Sequence, residues 1–288
     1  MDSVSKRCYG YDLQPAGGYL SPKRLKAERM GGDDIPRKGE SIDPVFTERA
    51  VRHLFELASG KCVRDTFSGT MDGAALVYEE AEAARLRAGV SGLDDASIAD
   101  VCQLCVYDGN PHRTRGKIVE PNETTRSNIR EMAERSLAFA EARGGTAAVG
   151  FAFGSGPDGM AADLGTFIAG DAMWILDTAA TAPGKKDTLR LLVHYLLGRS
   201  SSPEFAGVRR IGIYNPRLDT AYSIDVAEIP RKALKSVDYD YVGCIITDRK
   251  PVRHYSPGVS LLQDLLVLVS WLVLIGCIGF FALLFLAA

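Results

Sequence analysis

The sequence predicts an α/β (α+β) chain: a mixed sheet with helices, a helical region before it and one transmembrane helix after it. Three observations carry this. Residues 147–226 hold short apolar runs separated by Gly, Pro and Asn turns, with one helical-period segment among them. Residues 43–143 show apolar residues at helical spacing and no strand-like alternation. Leu265 to Ala288 carries no charge at all. The expected divisions are an irregular or disordered arm over 1–42, a helical region over 43–145 that packs on the core, and an α/β core over 146–245. A polar linker over 246–264 and the membrane helix over 265–288 complete the order.

The arm is rich in Gly, Pro, Lys, Arg and Asp, lacks Phe and has few large aliphatics, so it reads as a solvated tail. Asp43-Pro44 is a helix start, with Asp43 as cap and Pro44 in the first turn; Val51, Leu54 and Phe55 follow on the apolar face. Gly60 stops it. A short helix about Asp65–Phe67 and a longer one from Asp72 to Leu86 are expected next, then a helix from Asp95 that carries two cysteines. The stretch 108–120 is polar and turn-rich. Asn122 to Arg143 is the clearest helix, capped by Asn122 or Thr124 and stopped by Gly144-Gly145; its Glu131, Glu134 and Glu141 read as a solvated face.

The core begins with Ala147–Phe153, read as a strand, followed by the loop Gly154-Ser155-Gly156-Pro157-Asp158-Gly159. Asp163–Ile168 and Ala172–Leu176 read as a strand pair about Ala169-Gly170-Asp171, delivering Asp177 at the end of the second strand. From Thr188 the period turns helical, with Leu189, Leu192, Val193, Leu196 and Leu197 on one face. Arg209–Tyr214 and Ala221–Val226 read as a hairpin, Pro230–Asp238 as a short basic helix, and Tyr239–Gly243 as the stretch that leads out of the domain. Asp163 and Asp177 thus fall on neighbouring strands beside a helix. Two such carboxylates can hold a hard divalent cation, which would polarise a phosphoryl oxygen or a water.

The formal net charge of -2 gives no general argument for nucleic-acid binding. Six cysteines at irregular spacing fit a reduced setting. Cys102-Gln103-Leu104-Cys105 matches CxxC, but on this helical pattern the two read as buried packing residues, and the four histidines show no ligand spacing.

The uncharged run Leu265–Ala288 is 24 residues long. At about 1.5 Å per residue it is long enough to cross a hydrocarbon core of about 30 Å with some tilt. Arg249, Lys250 and Arg253 precede it and no positive charge follows, so the expected topology is a single-pass C-terminal anchor with the N-terminal domain in the cytoplasm. Trp271 lies about two turns inside the span.

The run Ala162-Asp163, Trp174-Ile175-Leu176-Asp177-Thr178-Ala179, Leu189-Arg190 to His194-Tyr195 and the turn Tyr214-Asn215-Pro216-Arg217 resembles the PD-(D/E)xK nuclease superfamily. More narrowly, it resembles a group of uncharacterised bacterial proteins with that core. The resemblance covers roughly 43–243 and implies a restriction-endonuclease-like mixed sheet. It implies Asp163 and Asp177 as the metal-binding acids, with Mg2+ as cofactor where the site is kept. The pattern departs from the family at three places: Ala179 stands where Lys is expected, Arg190 where Gln is expected, and Gly159–Ala162 lacks the usual acidic loop; Tyr195 keeps its place. Lys185 and Lys186, after the Pro183-Gly184 turn, are the candidates for a displaced lysine. The expected function is a membrane-tethered pseudo-nuclease that serves as a binding or assembly module for a nucleic acid or a protein. The alternatives are an active Mg-dependent nuclease using Lys185 or Lys186, and a membrane-anchored scaffold with no ligand and no cofactor.

Overall fold

A computed structural model describes residue 14 and residues 18–153, 160–161 and 163–242. The expected anchor, with Leu265, Trp271 and Ala288, lies outside the described residues, as do the polar linker, the first thirteen residues of the arm and the Gly154–Gly159 loop. Among the described residues no helix is long and apolar enough to cross a membrane.

The chain runs β1 (Lys26–Arg29), α1 (Pro44–Ala58), α2 (Val63–Thr66), α3 (Ser68–Leu76), α4 (Glu80–Gly89), α5 (Asp95–Leu104), α6 (Pro111–Thr114) and α7 (Glu123–Ala142). Then come β2 (Thr146–Val149), β3 (Ala152–Phe153), β4 (Met160–Ala161), β5 (Thr166–Ala169), β6 (Ala172–Leu176), α8 (Lys185–Ser201), β7 (Arg210–Asn215), β8 (Thr220–Asp225) and α9 (Arg231–Val237). Six strands make one mixed sheet in the order β1-β8-β7-β6-β5-β2, and β3 pairs with β4 apart from it. Every pairing in the large sheet is antiparallel except β6 with β7. A parallel pair needs a crossover, and α8 supplies it. The fold class is therefore α+β.

Period-two alternation assigns β6 to two layers. Met173 and Ile175 pack with Ile211, Ile213 and the apolar residues of α8. Ala172, Trp174 and Leu176 face the other way, onto Phe55 of α1 and Phe139 and Ala140 of α7. Gly212 lies beside Trp174 in the parallel register, and a Cβ there would come within 2.3 Å of the indole ring. The helices are not a separate unit. Val51 and Leu54 of α1 and Ile129 and Met132 of α7 pack with α3–α5, while Phe55 of α1 and Phe139 and Ala140 of α7 pack on the sheet. Caps follow the sequence: Asp43 accepts the Val45 N–H, Asp94 those of Ala96 and Ser97, and Asn122 that of Thr125.

Several expectations are corrected. The arm over 1–42 is not irregular throughout, because Lys26–Arg29 forms β1 on β8. All four of its residues are exposed, so no hydrophobic pattern marked it; backbone hydrogen bonds hold it, and charged side chains suit an edge strand. The helix expected over 72–86 breaks at Val77–Glu79, where Tyr78 takes a positive φ of 62°. The strand expected over 147–153 breaks at Gly150, whose φ is +68°. Asp163 precedes β5, which begins only at Thr166. The segment after α9 does not leave the domain: a π-helical turn over Asp238–Val242 buries Tyr241 and Val242 against the α8 layer. Together with Leu20 it covers the outer side of α8. That helix is consequently buried from Thr188 to Tyr195 on every face, where a single apolar stripe was expected.

Candidate functional site

Both acids lie at one end of the β5–β6 hairpin. Thr166 pairs with Ile175 across it, so the chain before Thr166 and the chain after Leu176 meet there. Asp163 is 4% exposed and Asp177 7%. Helix α1 crosses this end. Arg52 donates to the Leu176 carbonyl at 2.7 Å and pairs with Glu48 one turn back. Glu56 accepts the Gly165 N–H at 3.0 Å and pairs with Lys61 at 2.7 Å. Gly165 has a φ of +78°, and a Cβ there would meet the Arg52 side chain at 2.7 Å. Glycine therefore serves two needs at this turn: the left-handed backbone and the close passage of Arg52.

Helix α8 supplies the other wall. Arg190 and His194 stand one turn apart, both buried. His194 Nδ1–H donates to the Arg190 carbonyl at 2.8 Å, which leaves Nε2 as the acceptor for the Asp163 N–H at 3.1 Å. The Asp163 carboxylate is 3.5 Å from the same Nε2. This is not an ion pair. Burial holds the His194 pKa below its ordinary value, against the opposing pull of Asp163 and the Arg190 carbonyl, and an imidazole accepting at Nε2 is neutral.

Asp177 is held by its own turn. Its N–H donates to the Tyr214 carbonyl at 3.0 Å, and Oδ1 accepts the Ala179 N–H at 3.1 Å. Burial raises its pKa; Arg190 is the strongest opposing influence, Asp187 and Glu48 add to the rise, and Arg52 counters it. The Asn215-Pro216-Arg217 turn locks this loop from the next strand. Asn215 Nδ2 donates to the Ala179 carbonyl at 2.8 Å, and Arg217 Nε to the Thr178 carbonyl at 2.9 Å. Asn215 Oδ1 accepts the N–H groups of Arg217 and Leu218. Arg217 also pairs with Glu40 of the arm at 2.8 Å, their side chains 2% and 4% exposed.

The structure thus brings Asp163, Asp177, Arg190 and the Ala179 backbone to one end of the sheet. Tyr195 is buried in the α8 core. Lys185 and Lys186 follow the Pro183-Gly184 turn, but they open α8, which was expected only from Thr188, and both are exposed while the two acids are buried. Sequence reasoning missed Glu48, Arg52, Glu56 and His194. Their signal was i,i+4 spacing, Glu48-Arg52-Glu56 on α1 and Arg190-His194 on α8, with charge placed on helix faces otherwise apolar. The donor set suits guanidinium groups better than Mg2+. One Asp177 oxygen is committed to a backbone N–H, His194 lies against Asp163, and two arginines already bear on Asp177. A hard cation wants several oxygen ligands and room for its waters.

The neutral, buried His194 sets a pH response. An unfolded histidine titrates near about 6.5, and the folded one below that. The unfolded state therefore binds the extra proton, so the full contribution is present above about pH 6.5 and is lost as pH falls through the folded value. Asp177 has the opposite sign, since its raised folded pKa costs stability as pH rises past the ordinary carboxylate value. We expect urea-unfolding stability to fall from pH 7 towards pH 5. His194→Gln, which can still accept the Asp163 N–H, should remove a slope of up to about 1.4 kcal/mol per pH unit. An unchanged slope in that variant would show that His194 is not buried neutral.

Comparison with protein-family models, with curated proteins and with solved structures returned no match.

Proposed function

We propose that this chain is a membrane-tethered protein whose domain is built like a PD-(D/E)xK nuclease but has lost the chemistry, and that it serves as a binding or assembly module on the cytoplasmic side. The order α7, β2, β5, β6, α8, β7 supports the nuclease-like reading: a helix, a three-stranded antiparallel meander, then a helix crossing to a parallel strand. The uncharged run Leu265–Ala288 and the basic residues before it support the tether.

The observation that carries the loss of activity is the surroundings of Asp177. Position 179 offers a methyl group and a backbone N–H, and the charge facing the acid is the buried guanidinium of Arg190. An arginine stays protonated and cannot take a proton from water. Losing one preorganised electrostatic group costs on the order of 10²–10³ in rate, and here the lysine and the acidic loop are both gone. The full chain in mild detergent should leave single- and double-stranded DNA and RNA intact with Mg2+ or Mn2+. Cleavage that disappears on Asp177→Ala would overturn this reading and return Lys185 or Lys186 to the role of the missing lysine.

A further inference from the structure

Away from this site, three side chains of metal-binding type converge inside the helical region. His53 comes from the middle of α1, Cys105 from the end of α5, and Asp108 from the turn that follows. They are up to 55 positions apart in the chain, yet their ligand atoms all lie within 4.8 Å of one another. We propose that His53, Cys105 and Asp108 form a Zn2+ site that staples α1 to the end of α5.

The donor chemistry selects the metal. A thiol, an imidazole and a carboxylate together suit Zn2+, whereas Mg2+ and Ca2+ want oxygen alone. Three protein ligands leave one of four tetrahedral positions for solvent. Asp108, with 16% of its side chain exposed, marks the side from which solvent enters, while His53 is 4% exposed and Cys105 is buried.

Groups around the cluster hold the ligands in place. Thr70 Oγ1–H donates to Asp108 Oδ1 at 2.6 Å, leaving Oδ2 directed at His53 Nε2, 2.8 Å away. Such a hydrogen bond orients a ligating carboxylate. Arg49 Nη1 donates to the Cys105 carbonyl at 3.0 Å and fixes the turn that carries the thiol. Phe67 stacks on the imidazole, ring centres 4.7 Å apart, and sets its plane.

A hydrogen-bonded cluster with no metal is the competing account. His53 Nε2 lies 2.8 Å from Asp108 Oδ2, and Nδ1 is buried with no hydrogen-bond partner among the described residues in both accounts, so metal binding itself decides between them. The one other described cysteine near the cluster, Cys102, belongs to the apolar packing around α5. Cys62 is exposed, and serves as the control for adventitious thiol binding.

The test uses the full chain in mild detergent, purified under reducing conditions and loaded with Zn2+ or Co2+ after chelation. We expect one metal per chain, a thiolate-to-cobalt charge-transfer band, and a Tm that rises with Zn2+ and falls back with chelator. Cys105→Ser, His53→Gln and Asp108→Asn should each weaken Zn2+ binding at least about 100-fold. Thr70→Ala, which removes no ligand, should weaken it about 10- to 100-fold, and Cys62→Ser should leave it unchanged. If a ligand variant does not fold, the cobalt spectrum of a chain with Cys8, Cys62, Cys244 and Cys277 replaced by Ser decides. No thiolate band there, no shift of Tm with Zn2+, or metal that leaves with Cys62, would each overturn the site.

Discussion

Arg217→Ala should destabilise the domain by about 3–5 kcal/mol, the usual cost of removing one partner from a buried ion pair. The side chain is almost wholly enclosed and joins three segments at once. It pairs with Glu40, donates to the Thr178 carbonyl beside Asp177, and donates to the Ile35 carbonyl in the arm at 3.2 Å. The Arg217 carbonyl in turn accepts the Ile35 N–H at 2.8 Å. Truncation leaves the Glu40 carboxylate buried without its cation and two carbonyls without donors. A double variant, Arg217→Met with Glu40→Met, should be less destabilised than Arg217→Ala, because no charge is then stranded. Urea unfolding of the single and double variants decides this, and equal midpoints for Arg217→Ala and the unaltered chain would show that the pair bears no load.

Phe139→Ala should cost a similar about 3–5 kcal/mol. The ring lies flat on Tyr214, centroids 4.0 Å apart and planes 3° apart, and meets Trp174 edge-on at 4.8 Å. The Arg143 guanidinium covers the same group, 5.1 Å from the Phe139 ring centre. Phe139 therefore ties helix α7 to two strands of the sheet at once. Its loss opens a cavity over β6 and β7 and forfeits two aromatic pairs, each worth about 0.5–1.5 kcal/mol beyond burial. Phe139→Leu should recover much of the loss by refilling the volume. Thermal or urea unfolding that ranks Leu as badly as Ala would mean that ring geometry, and not packing, sets the cost.

The elements legible in the sequence were those whose pattern is local. β6, β7, β8 and α7 lie within a few residues of where alternation, helical period and capping placed them; the two acids fall at one end of the β5–β6 hairpin, though in the chain flanking the strands and not on them. What was illegible depends on distant chain. β1 has no apolar residue turned inward, so only its pairing with β8 defines it. Arg52 and His194 look like ordinary helix residues until α1 and α8 are laid against the β5–β6 end. The break at Tyr78 runs against its own side chain, since a non-glycine residue resists positive φ. His53 and Cys105 have no motif spacing because their meeting is set by the packing of α1 on α5.

The partnership of β1 with β8 carries a consequence for how the chain is made. Lys26 faces Ser223, and Glu40 waits for Arg217, so the first strand cannot find its place until nearly two hundred further residues have been synthesised. Pairings this remote in sequence raise contact order and slow folding. The sheet also lies waiting: β6 has no parallel neighbour until α8 has crossed and β7 has emerged. A nascent chain halted before β7 would expose Trp174, Met173 and Ile175 on an unpaired edge, the kind of surface that draws chaperones or aggregates. β7 and β8 are the last strands the sheet receives, so its ladder closes only once both are in place.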